Sequence, residues 1–120
     1  MVELPNSISN NIIRQIIKKS LFTERQIEII LNQTNLQKTS FTISRGAYYR
    51  QVKQSRAKLQ GLYYSFILLR GLGILLPADM DVINRLSEQV SVIQNSDVFP
   101  ERESEVISVI ETLISRACRL

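Results

Sequence analysis

Residues 44–71 read SRGAYYRQVKQSRAKLQGLYYSFILLRG. Within this stretch Tyr48, Val52, Ser55, Leu59, Leu62, Phe66 and Leu69 recur at alternating intervals of four and three, which is the seam of a helix packed along its length. Ser44 supplies an oxygen suited to cap the first turn, so the spacing predicts a helix from Arg45 to Arg70, about 39 Å long at 1.5 Å per residue. Gly61 costs that helix about 1 kcal/mol relative to alanine and marks the expected kink or break. Gly71 and Gly73 supply the left-handed positions expected to end it.

On the N-terminal side, Asn32 to Thr42 is polar and β-branched with no helical stripe, and reads as a loop or one weak turn. Before it, Thr23-Glu24-Arg25-Gln26 has the form of a capping box opening a helix that turns Ile27, Ile30 and Leu31 inward. Ile8, Ile12, Ile13, Ile16 and Ile17 keep helical spacing and predict a first helix over Ser7 to Lys19, capped by Asn6 or Ser7. On the C-terminal side, Pro77 suits a first turn, and Met80, Ile83, Leu86, Val90 and Ile93 predict a helix over Ala78 to Gln94. Asn95 to Phe99 reads as a turn. Pro100 opens a last helix whose Val106, Ile110, Leu113 and Ala117 face inward, with glutamates in its first turns and arginines at its end, as the helix dipole favours. The expected fold is therefore all-α: a compact bundle of about five helices, with one long central helix.

A chain of 120 residues is one domain by size and long enough to bury a true core. Hydrophobic residues at 44%, charged residues at 22%, three prolines and four glycines exclude disordered and collagen-like classes. Cys118 is the only cysteine, so no intrachain disulfide is available. Histidine is absent, which removes the commonest general base and the commonest transition-metal ligand together. No paired carboxylates or phosphate-cradling glycine loop replace it, so neither an enzyme nor a metal or cofactor site is expected. Met1 to Asn11 lacks the charged and apolar regions of a secretory signal, and Leu62 to Leu76 is too short and too interrupted to span a bilayer. A cytoplasmic protein without a membrane partner is expected.

Charge is distributed unevenly along the chain. Residues 31–78 carry seven basic and no acidic side chains, whereas residues 79–120 carry four basic and eight acidic ones. The single domain 1–120 thus divides into a basic half, about 7–72, and an acidic packing or dimerisation half, about 77–120. On a wheel of 100° per residue, Arg45, Arg56, Tyr49, Lys53 and Arg50 fall side by side next to the apolar seam, with Lys58 off the stripe. A helix with one face in a core and an arginine-rich opposite face with a tyrosine has the layout that meets phosphates and reaches base edges.

Two segments also resemble a known family. Leu21-Phe22-Thr23-Glu24-Arg25-Gln26-Ile27 is similar to the opening of the helix-turn-helix domains of sigma-factor region four and related bacterial and archaeal transcription regulators. Ile43 to Leu59 resembles their recognition helix. The likeness covers about residues 21–59. Between the two segments, Gln33 to Thr42 lacks the acidic-isoleucine-alanine core of the short helix that the family places there. The resemblance implies Ser44 at the helix cap, Arg45, Tyr49 and Arg50 at the major groove, and Lys53 and Arg56 on the DNA backbone, with Arg25 adding a phosphate contact. The expected function is duplex DNA binding in transcription regulation, as a homodimer paired through helices 78–94 and 100–119. The alternative is a helical adaptor or oligomerisation module that docks an acidic protein.

Overall fold

The structure, a computed structural model, describes residues 10–38, 40–94 and 100–120. Asn6, Ser7 and Ile8 of the expected first helix and the Asn95–Phe99 turn lie outside these residues. Asn10 has an extended backbone, and its side-chain oxygen accepts from the N–H groups of Ile12 at 2.9 Å and Ile13 at 3.3 Å. Helix α1 therefore begins at Asn11 rather than Ser7 and runs to Lys19. The Asn10 amide also donates to the carbonyl of Ile93 at 3.1 Å, so the cap doubles as a tie to the fourth helix.

Helix α2, Glu24–Gln33, opens with the complete capping box: the Gln26 N–H donates to the Thr23 hydroxyl and the Thr23 N–H to the Gln26 side chain. It ends at Asn35, whose φ of 59° is the left-handed position. The N–H of Leu36 then reaches the carbonyl of Leu31 and that of Asn35 the carbonyl of Asn32, satisfying two carbonyls that the helix leaves open. Asparagine tolerates this conformation better than other side-chain-bearing residues. Turns and bends join α2 to α3 without a further helix among the described residues.

Helix α3 runs unbroken from Arg45 to Gly71, straight through Gly61. Only one of its two terminal glycines is left-handed. Gly73 has φ 78°, and the Ile74 N–H closes back on the Leu69 carbonyl at 2.9 Å. Gly71 is still helical.

Helices α4, Pro77–Gln94, and α5, Pro100–Ala117, complete an all-helical bundle without strands among the described residues. Ile12 of α1, Ile93 of α4 and Ile107 of α5 form a buried cluster backed by Ile13, Ile16 and Val106. Helix α1 also touches α2, and α2 carries α3, which makes α1 the link between the α2–α3 pair and the α4–α5 pair. The expected inward positions are half-buried in most cases, but the deepest side chains include Ile29 and Ile107, which the predicted stripes omitted. The bundle measures 43 × 38 × 21 Å with a radius of gyration of 16.0 Å, against about 14 Å for an isometric domain of this length. No helix among the described residues is long and apolar enough to cross a membrane.

A polar lock joins the two C-terminal helices. The Asp79 carboxylate accepts from the Leu76 N–H at 2.7 Å, which caps α4, and from both terminal nitrogens of Arg119 at 3.1 Å. Arg119 donates in addition to the carbonyl of Ile74 at 2.7 Å. The Arg119 guanidinium, followed by the Leu76 N–H, holds the Asp79 carboxyl below its ordinary range. Stability from a lowered carboxylate is present above its unfolded value, near pH 4, and is lost as pH falls through the folded value. We predict that Asp79→Asn lowers the thermal midpoint at pH 7, and that parent and variant converge as acid titration passes below pH ~3, as followed by circular dichroism.

Candidate nucleic-acid interface

The groove between α2 and α3 fixes which way the basic helix faces. Tyr48, Val52, Ser55 and Leu59 turn toward α2, with Ser55 buried and the other three half-buried. Val52, Ser55 and Leu59 share the wall of this groove with Ile29 and Ile30. Ser55 is the small side chain of the set, and its hydroxyl has no hydrogen-bond partner among the described residues. Because this face is committed to α2, the stripe beside it points to solvent.

Each predicted site residue can be placed. Ser44 caps α3 by accepting from the Ala47 N–H at 3.1 Å; its oxygen is committed to the helix end. Arg45 lies over the Tyr49 ring, 5.9 Å from its centre, and both are exposed. Arg50, Lys53 and Arg56 are exposed along the same side. None of Arg45, Arg50, Lys53 and Arg56 is paired with a carboxylate among the described residues. The stripe from Arg45 to Arg56 is about 16 Å long.

Arg25 stands apart from that stripe. It is on α2, stacks over Phe41 at 5.5 Å and pairs with Glu28 at 3.7 Å. Its charge is thus partly met within the chain, unlike those on α3. Glu28 is itself buried, and burial pushes its carboxyl up from the ordinary value, with Arg25 opposing that rise.

Three contacts hold the stripe in place that sequence reasoning did not assign. Phe41 packs against Tyr48 with ring centres 5.3 Å apart, so the loop before α3 is fastened to α2 through Arg25 and to α3 through Tyr48. The Tyr48 hydroxyl accepts from Asn32 at 2.7 Å and Gln33 at 2.8 Å. Lys58, off the stripe as its wheel position predicts, donates to the Leu21 carbonyl and the Gln26 side chain, both at 2.9 Å. Phe41 is the one aromatic residue of the connecting loop, and this was the available signal for its anchoring role.

The acidic half finds its partners elsewhere. Glu111 pairs with Lys19 at 2.9 Å, Asp79 with Arg119, and Glu103 accepts from Asn11. Compared with known protein families, curated proteins and solved structures, the chain matches none of them.

Tyr48→Phe removes the hydroxyl acceptor shared by two amides. We predict a loss of about 1 kcal/mol in urea unfolding with unchanged cooperativity, since the ring contact with Phe41 is retained.

Proposed function

We propose that this chain binds duplex DNA through the exposed face of α3 and acts in transcription regulation. The observation that carries the reading is four arginine and lysine side chains, Arg45, Arg50, Lys53 and Arg56, on one face of one helix without a carboxylate partner among the described residues. Solvated helix faces ordinarily mix both signs, and a uniformly basic face raises the local potential for a polyanion. Phosphates neutralise such a face and release their condensed counterions, which is a large source of affinity at moderate salt.

The arrangement suits a groove. On the wheel Arg50 lies to one side of Tyr49 and Lys53, and Arg45 and Arg56 lie to the other. A helix that enters a major groove of about 12 Å width with its N-terminal end foremost puts its first turns nearest the base edges and its later bases toward the phosphates. Arg45, Tyr49 and Arg50, in the first turns, are assigned to the groove, and Lys53 and Arg56 to the backbone. Ser44 sets the helix start, and Arg25 is a supporting contact through Phe41. The proposal requires no cofactor or metal and no catalytic step.

Fluorescence anisotropy with a labelled duplex tests the reading across a salt series. We predict a linear fall of log affinity with log salt. Lys53→Ala/Arg56→Ala should flatten the slope by about two and weaken binding roughly 10- to 100-fold near 0.1 M salt. Arg85→Ala, an exposed base on α4, should leave the slope unchanged. Equal binding by parent and double variant sinks the assignment of α3. Parent protein that ignores DNA but is captured by an acidic protein favours the adaptor reading instead.

A further inference from the structure

The C-terminal half of α3 is apolar around most of its circumference, with Ser65 and Arg70 its polar side chains. Phe66 and Leu69 face the chain and are half-buried. Tyr63, Tyr64, Ile67 and Leu68 face outward with 65, 76, 66 and 58% of their surface exposed, and Leu72 follows at the helix end with 67%. Arg70 is the only charge from Gly61 to Leu76, and its guanidinium folds back onto the Leu75 carbonyl at 2.7 Å. A helix this apolar is a buried helix, yet no element among the described residues packs on this outer arc. Among the described residues, α2 is the one helix that α3 packs on extensively, and it holds the other half.

We infer that a second copy of this chain covers the outer arc, the two α3 helices packing antiparallel about a two-fold axis near Leu68. The inference goes beyond DNA binding and does not rest on it.

Four observations select a second copy. First, the area fits: five large side chains this exposed present on the order of 600 Å² of apolar surface. That is at or above the largest patch of an ordinary monomer and approaches the ~800 Å² per partner of a standard interface. Exposed Ile74, Leu76 and Ile83 extend the patch along an apolar groove of about 520 Å³ walled by Leu69, Val82 and Leu86. Second, the arc carries no charge that repels its own image across a two-fold, as an isologous contact requires.

Third, Gly61, Tyr64, Leu68 and Leu72 recur at intervals of three, four and four and so form one seam. A Cβ on Gly61 meets nothing within 4 Å inside the chain. No intrachain contact therefore requires this glycine, and in an antiparallel pair its notch receives the end of the other helix. Fourth, a parallel pair would set two uncompensated basic segments side by side. The antiparallel pair keeps the two copies of Arg56, the nearest members of the stripes, about 36 Å apart, several Debye lengths at physiological salt. The seam starts at Gly61, about 8 Å along the helix beyond Arg56, the last base of the stripe, so the α3–α3 contact does not overlap the stripe. The contact differs from pairing through α4 and α5, whose Ile93, Val106 and Ile107 are used within the chain.

Sedimentation equilibrium of the full chain without DNA tests this. The expected mass at about 50 µM is twice 13.8 kDa. Leu68→Glu, on an exposed position, should sediment as a monomer with the circular dichroism of the parent, and Val109→Glu, an equally exposed site on α5, should stay dimeric. In a Cys118→Ser background, Leu68→Cys should cross-link to itself under mild oxidation and Lys53→Cys should not, which reports the antiparallel sense even where Leu68→Glu folds poorly. A monomeric parent, a dimeric Leu68→Glu, a dimer broken by Val109→Glu, or cross-linking at position 53 overturns the inference. So does a monomer that binds lipid vesicles through this arc. Because every readout is taken without DNA, loss of the dimer and loss of DNA binding are scored separately.

Discussion

Everything outward of the core follows from the contact between α2 and α3. Ile29 and Ser55 are buried at that crossing, and a larger side chain than serine there would push the helices apart in an interior packed to crystal-like density. The crossing sets the rotation of α3 about its own axis. That rotation in turn decides which residues are left for solvent: the bases in the first half and an apolar arc in the second.

The tyrosine and lysine that brace the crossing are polar at their tips and apolar along their length, which is why each occupies an edge rather than the centre. The Tyr48 hydroxyl collects two amides from the end of α2, and the Lys58 ammonium collects the Leu21 carbonyl and Gln26 near its start. Both ends of α2 are thereby tied to one helix. These bonds are part-buried or exposed, so each contributes on the order of 1 kcal/mol and helps fix the crossing through its geometry.

That four bases of α3 lack a carboxylate partner among the described residues follows from where the carboxylates sit. The stretch from 31 to 78 contains none, and the two acids of α2 are taken by other partners, Glu24 by Arg14 and Glu28 by Arg25. In the C-terminal helices Asp79 caps α4 and meets Arg119, Glu111 meets Lys19, and Glu103 accepts from Asn11. The small bundle thus keeps like charge on one exposed helix at some electrostatic cost, while the core of α1, α4 and α5 supplies the stability that tolerates it.

Much of this architecture was legible along the chain. Helical periods of the apolar residues, the Thr23–Gln26 box, Ser44 and Pro77 are local signals, and local hydrogen bonds and sterics settle them without help from distant residues. The basic stripe was legible for the same reason: once a helix is assumed, angular order is arithmetic. What the linear chain did not reveal was which of two competing local outcomes prevails. Asn10 caps α1 at Asn11, and its amide also finds the distant Ile93 carbonyl, a contact that no local spacing could show. Gly61 does not break α3, because the helix on either side of it is strong enough to absorb about 1 kcal/mol. Arg25 turns to Phe41 and Glu28, and Lys58 to α2, because only the folded chain brings those partners within reach. Tertiary structure also decided that the seam predicted to run the length of α3 is covered by α2 over its first half alone. A sequence pattern states which residues avoid water, but not which surface arrives to cover them; that depends on where the other helices end.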